Sequence, residues 1–170
     1  MLFVGINPGL YTAAIGHHFG RPGNRFWLAL HRAGFTERVL SPFEERELLE
    51  RGLGVTNIVN RATASADELS DDDLRAGARA LAGKLRRFRP RFAAFLGMGA
   101  YRIGFARPKA TLGEQPERFA DTRLWLIPNP SGRTATYQLD AIVAELARLR
   151  QAASPAGSST TTGSTRDVRR

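Results

Sequence analysis

The chain contains no cysteine. A disulfide framework, a thiolate metal site and a cysteine nucleophile are therefore excluded. Lysine is nearly absent, with only Lys84 and Lys109. Histidine occurs three times, as the adjacent pair His17–His18 and as His31 on a predicted helix. That is a poor basis for a metal centre, which needs three or four convergent ligands with supporting groups behind them. No apolar run approaches the ~18–20 residues of a membrane span. Met1–Val4 lacks the charged lead and apolar core of a signal peptide. The expectation is a soluble, cytoplasmic protein. Neither a P-loop nor a Gly-x-Ser-x-Gly elbow is present.

What is present is basic. The formal charge is +9, from 25 Lys+Arg against 16 Asp+Glu, with 42% hydrophobic residues over 170 positions. That length fits one domain with its own core. The charge favours an anionic partner, most simply nucleic acid, although an arginine-rich composition alone would raise it too. Residues 151–170 form a Ser/Thr/Gly-rich tail with little to bury, expected to be disordered. The tail carries +2, so the single domain at 1–150 keeps +7.

Within that domain strands and helices alternate. Leu2–Val4 reads as a strand. "RFWLALHRAGF" reads as a helix over Arg25–Ala33, closed by Gly34. "SPFEERELLERG" reads as a helix with Ser41 as cap and Pro42 at its first position. Val55–Val59 reads as a β-branched strand. Ser70 caps a long helix that Pro90 stops, and Asp71–Asp73 suit its positive end. "RFAAFLGM" and "RLWLIP" read as buried strands, with a short helix from about Ala100 between them and a closing helix over "TYQLDAIVAELARLRQ". Apolar runs rather than alternating ones predict strands covered on both faces, hence an α/β sandwich with a parallel sheet. Sites in such sheets lie beyond the carboxyl ends of the strands. Gly5-Ile6-Asn7-Pro8-Gly9 and Asn129-Pro130-Ser131-Gly132-Arg133 each follow a strand, so both belong on one rim.

Two motifs have plain readings. Gly97-Met98-Gly99-Ala100-Tyr101-Arg102 resembles a dinucleotide fingerprint. It places Arg where Gly or Ala is required and lacks the acidic residue about 20 positions on, so a tight strand-to-helix turn is preferred. Phe19, inside the punctuated loop "GHHFGRPGNRFW", is either a core anchor or a wall on which a planar ligand stacks.

Four fragments in order, "GINPGL", "GHHFGRPGNRFW", "GVTNIVNRAT" and "NPSG", resemble the mismatch-specific uracil/thymine DNA glycosylase family of the uracil-DNA glycosylase superfamily. The resemblance spans about Leu2 to Arg150. It implies a three-layer α/β/α sandwich with a short four-stranded parallel sheet. It implies a monomeric, cofactor-free and metal-free enzyme that flips uracil, or in some members thymine, from G·U or G·T mismatches in double-stranded DNA and hydrolyses the N-glycosidic bond. By position, Asn7 matches the catalytic residue that positions water and Thr63 a residue that helps hold that water. Phe19 matches the aromatic stacked on the flipped base. His18 with Ile6 matches the segment offering donors to base O2, and Asn57 the residue reading the pyrimidine edge. Thr12 falls near base C5, where the animal thymine-excising branch has Ala, which favours uracil. Asn129, Pro130, Ser131 and Gly132 match the loop that enters DNA, and Arg133 its wedge, with a phosphate-binding arginine at a helix entry as the alternative. Asn24 is expected to cap a helix, and Phe26 and Trp27 to pack in the core. An Asp at position 7 is expected to be faster than Asn. No lysine is placed for Schiff-base chemistry, so the expected reaction is hydrolysis alone. The alternatives are excision of other damaged bases, such as ethenocytosine or hypoxanthine, and mismatch binding without cutting. The first strand is short for a central one, which suggests a native start upstream of Met1.

Overall fold

The computed structural model describes residues 1–132 and 137–154. Five strands form one sheet: β1 (Leu2–Gly5), β2 (Gly54–Asn57), β3 (Phe92–Leu96), β4 (Gly113–Phe119) and β5 (Thr122–Ile127). Their order is β2-β1-β3-β5-β4. The first four in that order are parallel, with Gly5 beside Asn57, Val4 beside Phe95 and Leu96 beside Ile127. The expected four-stranded parallel sheet is thus there, and the strand count needs correcting by one. β4 adds an antiparallel edge, hairpinned to β5 and broken by a bulge between Glu114 and Arg118. Its sequence, GEQPERF, has no apolar run and contains a proline. Charge, proline and a bulge are what an edge strand tolerates, and they hid it from the pattern.

Alternate side chains of the central strands serve opposite faces. Phe3, Ala94, Leu96, Trp125 and Ile127 pack with Phe26, Trp27 and Leu30 of α2 (Phe26–Arg32) and Ile142, Leu146 and Leu149 of α6 (Leu139–Ala153). Val4, Ala93, Phe95, Leu124 and Leu126 pack with Leu74, Leu81 and Leu85 of α4 (Asp71–Phe88) and with Ala100 and Tyr101 of α5 (Met98–Gly104). Three layers result, with Phe26 and Trp27 in the core as expected. Gly77 lets α4 approach closely, since a Cβ there would meet Ile58 O at 2.4 Å.

Local chemistry sets the boundaries. Ser70 and Asp73 form a reciprocal capping box at the start of α4. Asn24 Oδ1 accepts from Phe26 N at 2.9 Å at the start of α2. Gly34, at φ 82, ends that segment. The helix expected from Ser41 is divided: Ser41 and Glu44 close a 3-10 turn over Pro42–Glu44, and α3 covers only Glu47–Glu50. The closing helix starts at Leu139 and runs to Ala153, three residues beyond the expected edge of the domain. The remaining tail, from residue 155, lies outside the described residues. α1 (Leu10–Ile15) has no clear forerunner in the pattern, because no apolar stripe marks it.

The short β1 is extended by pairing past its end. Ile58 N–H donates to Gly5 O, Val59 N–H to Ile6 O and Thr63 N–H to Pro8 O, and Leu10 N–H returns to Thr63 O. The polar turn after β1 is therefore held to the segment after β2 as a continuation of the sheet.

Candidate active site

A cavity of about 850 Å³ opens at the carboxyl ends of β1, β2, β3 and β5. Among its walls are Ile6, Asn7, Thr12, Phe19, Asn57 and Thr63. Asn129 and Ser131 close it from the β5 side. The two polar turns do share one rim.

Asn7 is the most constrained polar group there. Its Nδ2 donates to Arg61 O at 2.9 Å and to Thr63 Oγ1 at 2.7 Å. Thr63 is 3% exposed, and its own hydroxyl proton goes to Ser65 O at 2.7 Å. The carbonyl of Arg61 and the committed hydroxyl of Thr63 can only accept from Asn7. That chemistry fixes the amide with NH2 inward. Among the described residues nothing donates to Asn7 Oδ1, so a strong acceptor is left at the cavity. Thr63, expected to help hold the water, also accepts from Asn7 Nδ2 and so orients that amide. Arg61 is anchored in turn, through Asp73 at 2.8 Å and Glu68 O. Ser70 and Arg61 hold the Asp73 carboxyl below its usual range. The acidic start of α4 is thus both a cap and a brace for the backbone behind Asn7.

Phe19 stacks on Phe26, centroids 4.1 Å apart at 27°, and leaves a face for the cavity. Its φ is 51, a left-handed value that costs a bulky residue strain. Gly5 makes room here: a Cβ would stand 2.5 Å from Asn57 Oδ1 and 3.2 Å from the Phe19 ring. The Asn57 amide has no hydrogen-bond partner among the described residues, although it lines the cavity. Asn24, besides its cap, also lines the cavity.

His18 is not a cavity wall. Its main-chain N–H and ring Nδ1 both meet Glu45 Oε2, at 2.9 and 3.0 Å, while His17 Nδ1 lies 3.3 Å from Oε1. Burial pushes the Glu45 carboxyl up, but the His18 and His17 contacts outweigh burial and hold it below its usual value. His18, expected with Ile6 in the segment offering donors to base O2, thus has its main-chain N–H and Nδ1 committed to Glu45. Glu45 carried no signal in the sequence; it sat in a helix reading with a polar face.

The second turn is held from below. Asn129 Oδ1 accepts from Ser131 N at 2.9 Å. Pro130 is buried and faces inward, and its carbonyl accepts from Arg25 N and Nε. Arg25 also reaches the carbonyls of Asn129, Ser131 and Tyr137. Gly132 packs on Gly23, where a Cβ would meet Gly23 O at 2.6 Å. Arg133 lies outside the described residues. Sequence alone assigns Arg25 no role, because its partners are main-chain carbonyls 104 to 112 positions away.

The described residues contain no group of three or more His, Asp or Glu placed to hold a metal ion, and no helix among them is long and apolar enough to cross a membrane.

The three-layer α/β fold thus carries, at the ends of its strands, a cavity lined by the amides of Asn7, Asn24, Asn57 and Asn129. The chain matches the family model described as Uracil DNA glycosylase superfamily over residues 1–150. It belongs to that superfamily, whose members are DNA glycosylases, hydrolases of DNA repair that act on DNA.

Proposed function

We propose that this protein excises uracil, and less readily thymine, from G·U and G·T mismatches in double-stranded DNA, acting as a monomer and leaving an abasic site. The observation that carries this reading is Asn7, with both amide hydrogens committed and Oδ1 open to a cavity beside Phe19 and Asn57, whose amide has no partner among the described residues.

A base within a duplex must be extruded before its sugar carbon can be reached, at a cost of a few kcal/mol, and a wobble pair lowers that cost. Phe19, backed by Phe26, offers a rigid face for the flipped ring. Asn57 supplies one donor and one acceptor for a pyrimidine edge. Bond cleavage leaves the sugar oxocarbenium-like, so a weak nucleophile is enough. Asn7 Oδ1 accepts a hydrogen from water and aims its lone pair at the sugar, while Thr63 keeps the amide in place. The uracil leaves as an anion. Donors aimed at its O2 stabilise the transition state, and each such donor is typically worth ~3 kcal/mol. The backbone of Ile6, a wall of the cavity, is the proposed source. The turn carrying Asn129, Ser131 and Gly132, with Arg133, enters the duplex where the base has left, while Pro130 stays buried behind it. The cavity lining contains no lysine, in keeping with hydrolysis without a Schiff base.

A second reading keeps the same site and takes other damaged bases, such as ethenocytosine or hypoxanthine. The test is a labelled duplex with one G·U pair, incubated with the protein in EDTA and then treated with alkali. Cleavage at the uracil is expected. Binding without an alkali-labile site would instead mark a mismatch-binding protein.

A further inference from the structure

Gly9 and α1 have no reason in the free protein for being what they are. Gly5 and Gly132 are glycines because a Cβ would strike a neighbour. Gly9 has an ordinary backbone, φ −69 and ψ 160, and a Cβ there would meet nothing within 4 Å. The helix that follows, LYTAAI, buries none of its residues and carries no charge. Leu10 is 58% exposed and Tyr11 49%. An uncharged helix with an exposed leucine and a half-exposed tyrosine offers a neutral, partly apolar face on a chain of charge +9.

This surface is not loose. Leu10 N–H donates to Thr63 O at 3.1 Å and Ala13 N–H to Gly9 O at 2.9 Å. The helix is thereby tied to the same Thr63 that orients Asn7. Gly9 and Thr12 are walls of the cavity itself. The patch is therefore the outward continuation of the site's rim.

We infer that Gly9, Leu10 and Tyr11 form a docking surface for the DNA strand that carries the extruded nucleotide. The missing Cβ of Gly9 allows the sugar–phosphate chain to approach the rim closely. Leu10 and Tyr11 pack against the sugar and base of the adjoining nucleotide. The occupant follows from continuity: a nucleotide entering the cavity brings its own strand across this rim. The inference rests on the proposed function. It concerns van der Waals approach and stacking, and no anion is held by the helix end.

The test uses the full chain and a duplex containing one abasic site opposite guanine. Gly9→Ala is expected to leave the unfolding midpoint unchanged and to weaken binding about tenfold. Tyr11→Ser is expected to do the same at little cost in stability, since Tyr11 belongs to neither core cluster. Tyr11→Trp supplies a direct probe: its emission should change with the abasic duplex and far less with an undamaged one. If wild type binds and excises while Gly9→Ala and Tyr11→Ser bind equally well, the docking surface is wrong and the function stands. If binding and unfolding midpoint fall together, Gly9 belongs to the fold and the inference is overturned. If wild type neither binds nor excises, the functional reading fails and takes the surface with it.

Discussion

Asn7 Nδ2 donates to Thr63 Oγ1 at 2.7 Å, and the Thr63 hydroxyl passes its own proton to Ser65 O. One buried hydroxyl, together with the Arg61 carbonyl, therefore sets which end of the Asn7 amide faces the cavity. Thr63→Val removes one of the two acceptors and leaves Asn7 held by Arg61 O alone. Excision is expected to slow up to about a hundredfold, because small misplacements at reacting groups cost that much. The loss should fall on kcat with KM little changed. Thr63→Ser, which keeps the hydroxyl, should restore most of the rate. A single-turnover comparison of the three proteins reads this directly.

Asn7→Asp separates two views of the same residue. From sequence, an Asp could take the proton of water and should be faster. In the fold, its second oxygen would stand against Arg61 O, where Asn7 now donates at 2.9 Å. Two acceptors facing each other repel, and a partly buried carboxylate there is costly. The expectation is an enzyme no faster than wild type near neutral pH and less stable. Unfolding midpoints and excision rates, measured together, check it.

Glu45 gives a pH dependence with a definite sign. Its carboxyl is held below its ordinary value of 4.5 in the folded chain by His18 and His17, against an opposing push from burial. The stability this lends is present above that ordinary value and is lost as pH falls through the folded one. Glu45→Gln should therefore be less stable than wild type at about pH 7, with the gap closing as pH falls below 4.5. Denaturant unfolding at several pH values tests the trend. Because Glu45 ties down the His17–Phe19 loop, the variant should also bind product DNA more weakly.

Thr12 is half-buried in the cavity wall. Replacing it with Ala should raise excision from G·T relative to G·U, if its side chain crowds the thymine methyl. Gly5→Ala should do harm to both substrates, because the new Cβ would meet Asn57 Oδ1 at 2.5 Å. Relative rates on the two duplexes distinguish a gate from a damaged pocket.

The layers were readable because buried parallel strands leave unbroken apolar runs, as in "RFAAFL" and "RLWLI". β4 was not, since an edge strand with a proline and three charges looks like a loop. The two rim turns could be placed from sequence because both follow strands directly. Their bracing could not. Arg61, Ser65 and Glu45 act through main-chain carbonyls or through partners 27 to 54 positions away, and such contacts leave no periodic trace. His18 shows the limit most clearly. Its position in the motif was legible, but the direction of its N–H was not, because that depends on a carboxylate brought up by a separate turn.

The most direct test compares wild type with Asn7→Ala on one labelled duplex bearing a single G·U pair, in EDTA, with excision and binding both measured. Wild type should release uracil at low turnover. Asn7→Ala should bind the duplex comparably and excise at least about a hundredfold more slowly. Equal excision by the two proteins would contradict the central role of Asn7.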